Sequence, residues 1–352
     1  MNDPRPAFCP ECVESDHPPR LHRRDFIRRA GATAAVITGA GLLPSQTNRS
    51  YADEPAAAGK PKPGEDLVRE LHASLSAEQR SQVVLAWDHG LENGKGTPTR
   101  LGMYNSAIAD KKIADHYTKP QQELIDRILR SISAGDEGYR QLSRNGTFDS
   151  SGAMDRCGAL IFGDPTQAGK FSWVFSGHHL TVRCDGNSEE GAAFGGPMYY
   201  GHSPHGYSDK NIFHYQTKQV LGVFDALTSA QREKAVLRGS PGEQAASVRF
   251  RPGTENKPGI ACQDLSPDQR QLIEQVMRAL LSPYRQEDAD EVLQIIKANG
   301  GLEKIHLAFY EDKEMKDGQR WHFWRLEGPG LVWNYRVLPH VHTFVNISSK
   351  LS

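Results

Sequence analysis

The sequence predicts an α+β fold: a single domain whose antiparallel sheet is closed by a C-terminal β-meander, with helices packed around it. Strand-like runs cluster at both ends of the folded body with helical patterns between them, and the last four runs follow one another through short connections. The alternative architecture is two small domains divided near Ser240. The 42 basic and 43 acidic side chains of this 352-residue chain almost cancel. That balance removes the electrostatic basis for a nucleic-acid or anionic-membrane partner, so neither is expected.

The chain starts with a targeting pattern. His22-Arg23-Arg24-Asp25-Phe26-Ile27-Arg28 supplies paired arginines, an aromatic and a further base. An uncharged stretch from Ala30 to Asn48 follows, then small residues at Ala52 and Ala56-Ala57-Ala58. A basic head, a mildly apolar middle and a small-residue exit are the parts of a secretory signal, and the arginine pair specifies the twin-arginine route. Residues 1–58 are therefore expected to be signal and linker. The export machinery is the expected partner, and the expected location is periplasmic or extracellular. The Gly, Thr and Ala content makes the segment a poor membrane span, so no stable span is expected after cleavage; an uncleaved anchor is the alternative. Cys9-x-x-Cys12, followed by His17 and His22, has no second cysteine pair to close a common zinc site and is taken as part of the signal head.

The body is expected to span residues 65–347. Leu75–Arg80, Leu227–Arg232 and Leu265–Arg270 each place Ser or Thr three residues before Gln. That spacing is a capping box, so each starts a helix. Their irregular separation points to convergent helix starts rather than a repeat. Further helices are expected at Gln121–Ser133, Ile212–Ala226 and Asp288–Asn299. Strands are expected at Gly158–Gly163, Phe171–Arg183 and Ala193–Tyr200, then at Ile305–Tyr310, Trp321–Leu326, Leu331–Val337 and Val341–Ile347. A hairpin centred on Gln167 sets Cys157 opposite Gly177, which argues against a Cys157–Cys184 disulfide.

Histidine supplies the candidate chemistry. His178 and His179 lie late in a predicted strand, and His340 and His342 enter the last one. Residues two apart share a strand face, so His340 and His342 can converge on one ion, whereas His178 and His179 point oppositely and only one can join them. The candidate metal ligands are His178, His179, His340 and His342. Imidazole donors with no thiolate among them suit copper or zinc, and three such ligands leave an open coordination position. The Gly/Pro/Tyr-rich stretch Asp185–Lys210 adds His202 and His205, with His214 just beyond. Around a Glu327–Gly330 turn, register pairs His322 with Tyr335, Trp324 with Trp333 and Leu326 with Leu331. The opposite face then carries Trp321, Phe323, Arg325, Val332, Asn334 and Arg336. That face either holds an anionic or planar ligand, with Arg325 as the candidate catalytic residue, or is solvated. Serine-elbow, phosphate-loop, dinucleotide and His-Glu-x-x-His signatures are missing.

Several motifs come in a distinctive order: Gly177-His178-His179-Leu180, Gly196-Pro197-Met198-Tyr199-Tyr200-Gly201, the Leu227 and Leu265 segments, Trp324-Arg325-Leu326-Glu327-Gly328-Pro329 and His340-Val341-His342-Thr343. In this the chain resembles the bacterial and fungal family known as domain of unknown function 3500, from about Glu65 to Asn346. The resemblance implies that Gly177–Leu180, Arg325 and His340–Thr343 occupy family positions, and it carries no activity with it. Two residues depart from the pattern: Asn334 stands where the family typically has an acid, and Pro339 where it tends to have Asn. Two functions follow as expectations. One is an exported metalloprotein or metalloenzyme, with Arg325 orienting an anionic group; the other is a non-catalytic envelope or periplasmic binding protein with structural histidines.

Replacing both Arg23 and Arg24 with Lys is expected to leave precursor in the cytoplasm, as followed by fractionation and immunoblotting. Normal export and processing of that variant would mean the signal is misread.

Overall fold

The computed structural model describes residues 63–350, apart from 167–168, 244–247, 252–256, 312–314 and 317–318. The expected signal, with Cys9 and Cys12, lies outside these residues. Among the described residues, no helix is long and apolar enough to cross a membrane.

The chain contributes one group of elements and then repeats its order. The first group is α1 (Pro63–Ser74), α2 (Ala77–Val83), β1 (Val84–Leu85), a short α3 (Ile113–His116), α4 (Lys119–Ser131), α5 (Gly135–Leu142), β2 (Gly158–Gly163), β3 (Phe171–Gly177), β4 (Leu180–Cys184) and β5 (Met198–His202). The second is α6 (His214–Ala226), α7 (Ser229–Ala235), β6 (Val236–Arg238), a short β7 (Ile260–Ala261), α8 (Pro267–Leu281), α9 (Gln286–Ala298), β8 (His306–Glu311), β9 (Phe323–Gly328), β10 (Leu331–Arg336) and β11 (Val341–Ile347).

The mixed helix-and-sheet class is as expected, but the sheet differs in two respects. It is mixed, because β1 runs parallel to β2 and β6 parallel to β8. It is also open, with the order β1-β2-β3-β4-β5-β11-β10-β9-β8-β6 and β7 beside β8. The C-terminal meander does not close the sheet, because both of its outer strands are already paired elsewhere: β11 with β5, and β8 with β6 and β7. One continuous sheet crosses Ser240, so the two-domain alternative does not describe this body.

The strand order reads the same from either end, with β5 and β11 antiparallel at its centre. The two halves are structural copies, and the capping boxes are the clearest mark of it. Ser76 and Gln79 cap α2 and Thr228 and Gln231 cap α7; Thr118 and Gln121 cap α4 and Ser266 and Gln269 cap α8. In the first half Gln79 and Gln121 donate to each other at 2.7 and 3.1 Å, and in the second Gln231 and Gln269 do so at 3.0 and 2.8 Å. The reading of independent helix starts is therefore corrected. The boxes belong to a two-fold repeat whose unequal loops hide its period, and the fourth box, at Thr118, completes it.

Two hairpins also differ from the sequence reading. The run Phe171–Arg183 is not one strand: it folds back at His178-His179, with Gly177 opposite Leu180. The C-terminal hairpin turns through two residues, Pro329 and Gly330, so Trp324 faces Tyr335 and Leu326 faces Trp333. This two-residue slip leaves the strand faces as expected. Trp321 is the exception: it lies before β9 and packs on Phe309 and Tyr335 in the core. The Gly158–Ser176 pairing is as the first hairpin predicted, and Cys157, Cys184 and Cys262 are free and buried.

The helices cover one sheet face, to which Tyr200 bonds the Leu280 carbonyl at 2.6 Å and Tyr335 bonds Thr217 at 2.8 Å. The other face, expected to be either a ligand face or solvated, is roofed by loops. Tyr104 N donates to Thr181 (2.8 Å), Asn346 to the Val248 carbonyl (2.7 Å) and Arg251 to Glu327 (3.0 Å).

Gln121→Ala and Gln269→Ala each remove a buried amide that joins two helix starts. Each is expected to lower unfolding free energy by about 1–3 kcal/mol in urea titrations. Double-mutant cycles should show coupling for Gln79 with Gln121 and near-additivity for Gln121 with Gln269.

Candidate metal centre

The β3–β4 turn, the end of β5 and the start of β11 meet at one point. Gly201 of β5 stands opposite His342 of β11, and Gly201 N donates to the His179 carbonyl at 3.0 Å. A Cβ on Gly201 would stand 2.2 Å from the Val341 carbonyl, so only glycine lets the strands meet this way. Arg144, fully buried at the end of α5, donates to the Gly201 carbonyl at 2.9 Å and also bonds the His179 carbonyl, fixing the turn from beneath.

This arrangement brings three ring nitrogens together. His340 Nε2 lies 3.0 Å from His179 Nε2 and 3.0 Å from His342 Nε2. The three residues are buried, with at most 4% of their surface exposed. Behind them, His179 Nδ1 bonds Asp149, and His342 Nδ1 lies 3.2 Å from Glu243 Oε2. Arg336 holds Glu243 at 2.5 Å and donates to the His340 carbonyl at 3.3 Å.

These contacts decide where the lone pairs point. A carboxylate only accepts, so the Nδ1 atoms of His179 and His342 are donors. A neutral ring then turns its Nε2 lone pair toward the common centre. His340 has one Nε2 proton at most and cannot satisfy both neighbours, while protonating the rings would gather cations. The arrangement is compatible with a metal ion at the common centre, which would accept the three lone pairs. Two nitrogens held tetrahedrally at zinc distances are about 3.3 Å apart, close to what is seen here. Imidazoles backed by carboxylates are also the usual outer support of metal-bound histidine.

Asp149 is the deepest anion of the site. Burial pushes its carboxyl up, but hydrogen bonds from His178, His179 and His202, together with the Arg144 charge, outweigh this and hold it well below the usual carboxylate range.

The turn itself is strained. His179 adopts φ +54, and its equivalent in the second half is Gly330 at φ +60. The equivalence shows in the hydrogen bonds: Ser348 N reaches the Gly330 carbonyl as Gly201 N reaches that of His179. A left-handed conformation costs a side-chain-bearing residue about 1 kcal/mol or more, and Asp149, at φ +53, shares the penalty. One half keeps glycine for this turn; the other keeps a histidine there despite the cost.

The remaining candidates are placed elsewhere. His178 stands off the trio, with Nδ1 3.3 Å from Asp149. Arg325 is buried, donating to Glu327 at 2.8 Å and Asn334 at 3.1 Å, and β10 lies between its strand and β11. The structure does not bring Arg325 to the histidines. Asn334 serves that buried network, so an acid at this position would face Arg325. His205 is exposed, and its Nδ1 accepts from Tyr207 N. Asp149 and Glu243 escaped sequence reasoning because each lies in a loop with no spacing relation to a histidine.

Residues 65–348 match the family model described as "Protein of unknown function (DUF3500)". The chain belongs to this family. No curated protein and no solved structure matches it. In this DUF3500 chain the histidine groups at residues 178–179 and 340–342, far apart in sequence, contribute to one compact cluster.

If His179 serves an ion rather than packing, His179→Gly should leave the metal-free protein within about 1 kcal/mol of metal-free wild type, because relief of backbone strain offsets lost contacts. Urea unfolding after chelation measures this. A loss of about 3 kcal/mol or more would identify His179 as a packing residue.

Proposed function

We propose that this protein is an exported metalloprotein whose centre is a copper or zinc ion held by His179, His340 and His342. The observation that carries the reading is the convergence of three Nε2 atoms in a buried site whose Nδ1 atoms on two rings face carboxylates. An all-imidazole set with no thiolate suits both ions.

A metal bound there would have an open position at which it could act as a Lewis acid or lower the pKa of a water molecule. The chain's own residues have definite parts. Asp149 and Glu243 orient His179 and His342 and fix the ring tautomers. Arg336 holds Glu243, and Arg144 holds the turn that presents His179. Arg325 belongs to a separate buried ion network and is assigned no catalytic part.

Export by the twin-arginine route fits this reading, since that route carries folded proteins and would let the ion enter before transport. The periplasm or the extracellular space is the proposed location, with the export machinery as partner and neither nucleic acid nor a retained membrane span invoked.

His340→Ala combined with His342→Ala is expected to abolish near-stoichiometric copper or zinc while the far-UV circular dichroism stays that of wild type. Elemental analysis after purification without chelator and reconstitution with each ion measures this. Wild type that takes up neither ion would leave the trio as structural histidines of a non-catalytic binding protein.

A further inference from the structure

We propose that a cleft on the loop-covered face, beside the end of β11, is a binding site for a small carboxylate with an apolar body. Its volume is about 640 Å³, inside the range of roughly 300–1,000 Å³ usual for small-molecule sites.

Its position follows from the repeat. The trio is held between Gly201, at the end of β5, and the residues that lead into β11. The cleft is bounded in the same way by Ser348, the counterpart of Gly201, and by Ala192, Gly196 and Pro197, which lead into β5. None of its described lining residues is a histidine, and Asn346 stands where the first half has Tyr199. The second half therefore builds an open space where the first builds its cluster of imidazoles. On the loop-covered side of β11, His342, Phe344 and Asn346 follow one another at alternate positions. At about 3.3 Å per residue, Asn346 is roughly 13 Å along the strand from His342. A molecule in the cleft is thus bound apart from the trio, and the site does not depend on the metal reading.

The walls identify the ligand by class. Leu101, Met103, Val248 and Phe250 form an apolar side, Met103 and Val248 being buried and the other two half-buried. Both acids of the cleft are already engaged, Glu189 by Arg100 and Glu190 by Lys350 at 2.9 Å. Arg249 is different. It is exposed at the rim, and its guanidinium donates only to the Thr97 hydroxyl, at 3.3 Å, with no described carboxylate in ion-pairing range. One neutral acceptor leaves most of its N–H donors unused, and the planar fork fits a carboxylate through two parallel bonds. An apolar wall below a guanidinium complements an apolar acid. It suits neither a sugar nor a cation, and Glu189 and Glu190 disfavour a polyanion.

The test uses mature protein stripped of metal by chelator, so that no acid can bind an ion at the trio. Octanoate and naphthoate are titrated by calorimetry, with octanamide as the neutral control, and methyl NMR locates the bound molecule. At least one acid is expected to bind saturably, more tightly than octanamide, and to shift the methyl signals of Met103 and Val248. Which acid does so tells an aliphatic body from an aromatic one. Arg249→Gln should weaken that acid about ten-fold or more, because a charge-assisted bond is lost, and leave octanamide as it was. His340→Ala with His342→Ala should bind the acid as wild type does, which separates this site from the trio. Neither acid binding, undiminished affinity in Arg249→Gln, or methyl shifts confined to residues outside the cleft would overturn the proposal.

Discussion

Everything distinctive about this molecule depends on the antiparallel pairing of β5 with β11. That ladder joins the two copied halves into one sheet, and it alone places Gly201 opposite His342. Because the β3–β4 hairpin is the neighbour of β5, the same register carries His179 to within bonding distance of a residue 161 positions further along the chain. The approach is tight enough that a side chain on Gly201 would collide with the Val341 carbonyl. A register slip of one residue would turn His342 to the opposite face and dissolve the trio.

The repeated architecture supplies its own control. Both halves build the same turn next to the central ladder, and both support it from the end of a helix. Arg144 bonds the His179 and Gly201 carbonyls in one half, while Asn299 bonds the Pro329 and Ser348 carbonyls at 3.1 and 2.9 Å in the other. In the second half the turn is Pro-Gly, which fits its backbone without strain. In the first it is His-His, with positive φ at His179 and again at Asp149, to which His179 is bonded. Fold requirements are the same in both halves, so they do not explain the histidines. The cation proposed for the centre of the converging nitrogens would account for them.

The loop-covered face carries a second kind of buried polarity. Glu327 is fully buried and meets Arg325 at 2.8 Å, Arg251 at 2.9 Å and Lys257 at 3.8 Å. Such a network is destabilising if one partner is removed, yet adds little net stability over apolar packing. Its geometric effect is to hold Arg251 and Lys257 against the sheet at Glu327. The same roof brings Val248 against Tyr199 and Phe344, the latter two stacked at 4.5 Å, with Tyr199 edge-on to His342 at 5.4 Å. Aromatic packing thus covers the loop side of His342.

Much of the local structure was legible in the sequence because it is set by short-range rules. A Ser or Thr three residues before Gln caps a helix wherever it stands, and alternation along β8–β11 assigns faces even though the hairpin register was off by two. The common face of His340 and His342 follows from strand period alone. What the sequence left open was set by contacts between distant residues. The direction of the outer strands and the openness of the sheet depend on which edges find partners. The copied halves were hidden by loops of unequal length, although all four capping boxes were there to be aligned. Which of His178 and His179 meets the pair was decided by a turn placed where a strand was expected. Asp149 and Glu243 came into view only in three dimensions: a carboxylate in a loop has no periodicity, and only the folded sheet brings it behind a histidine.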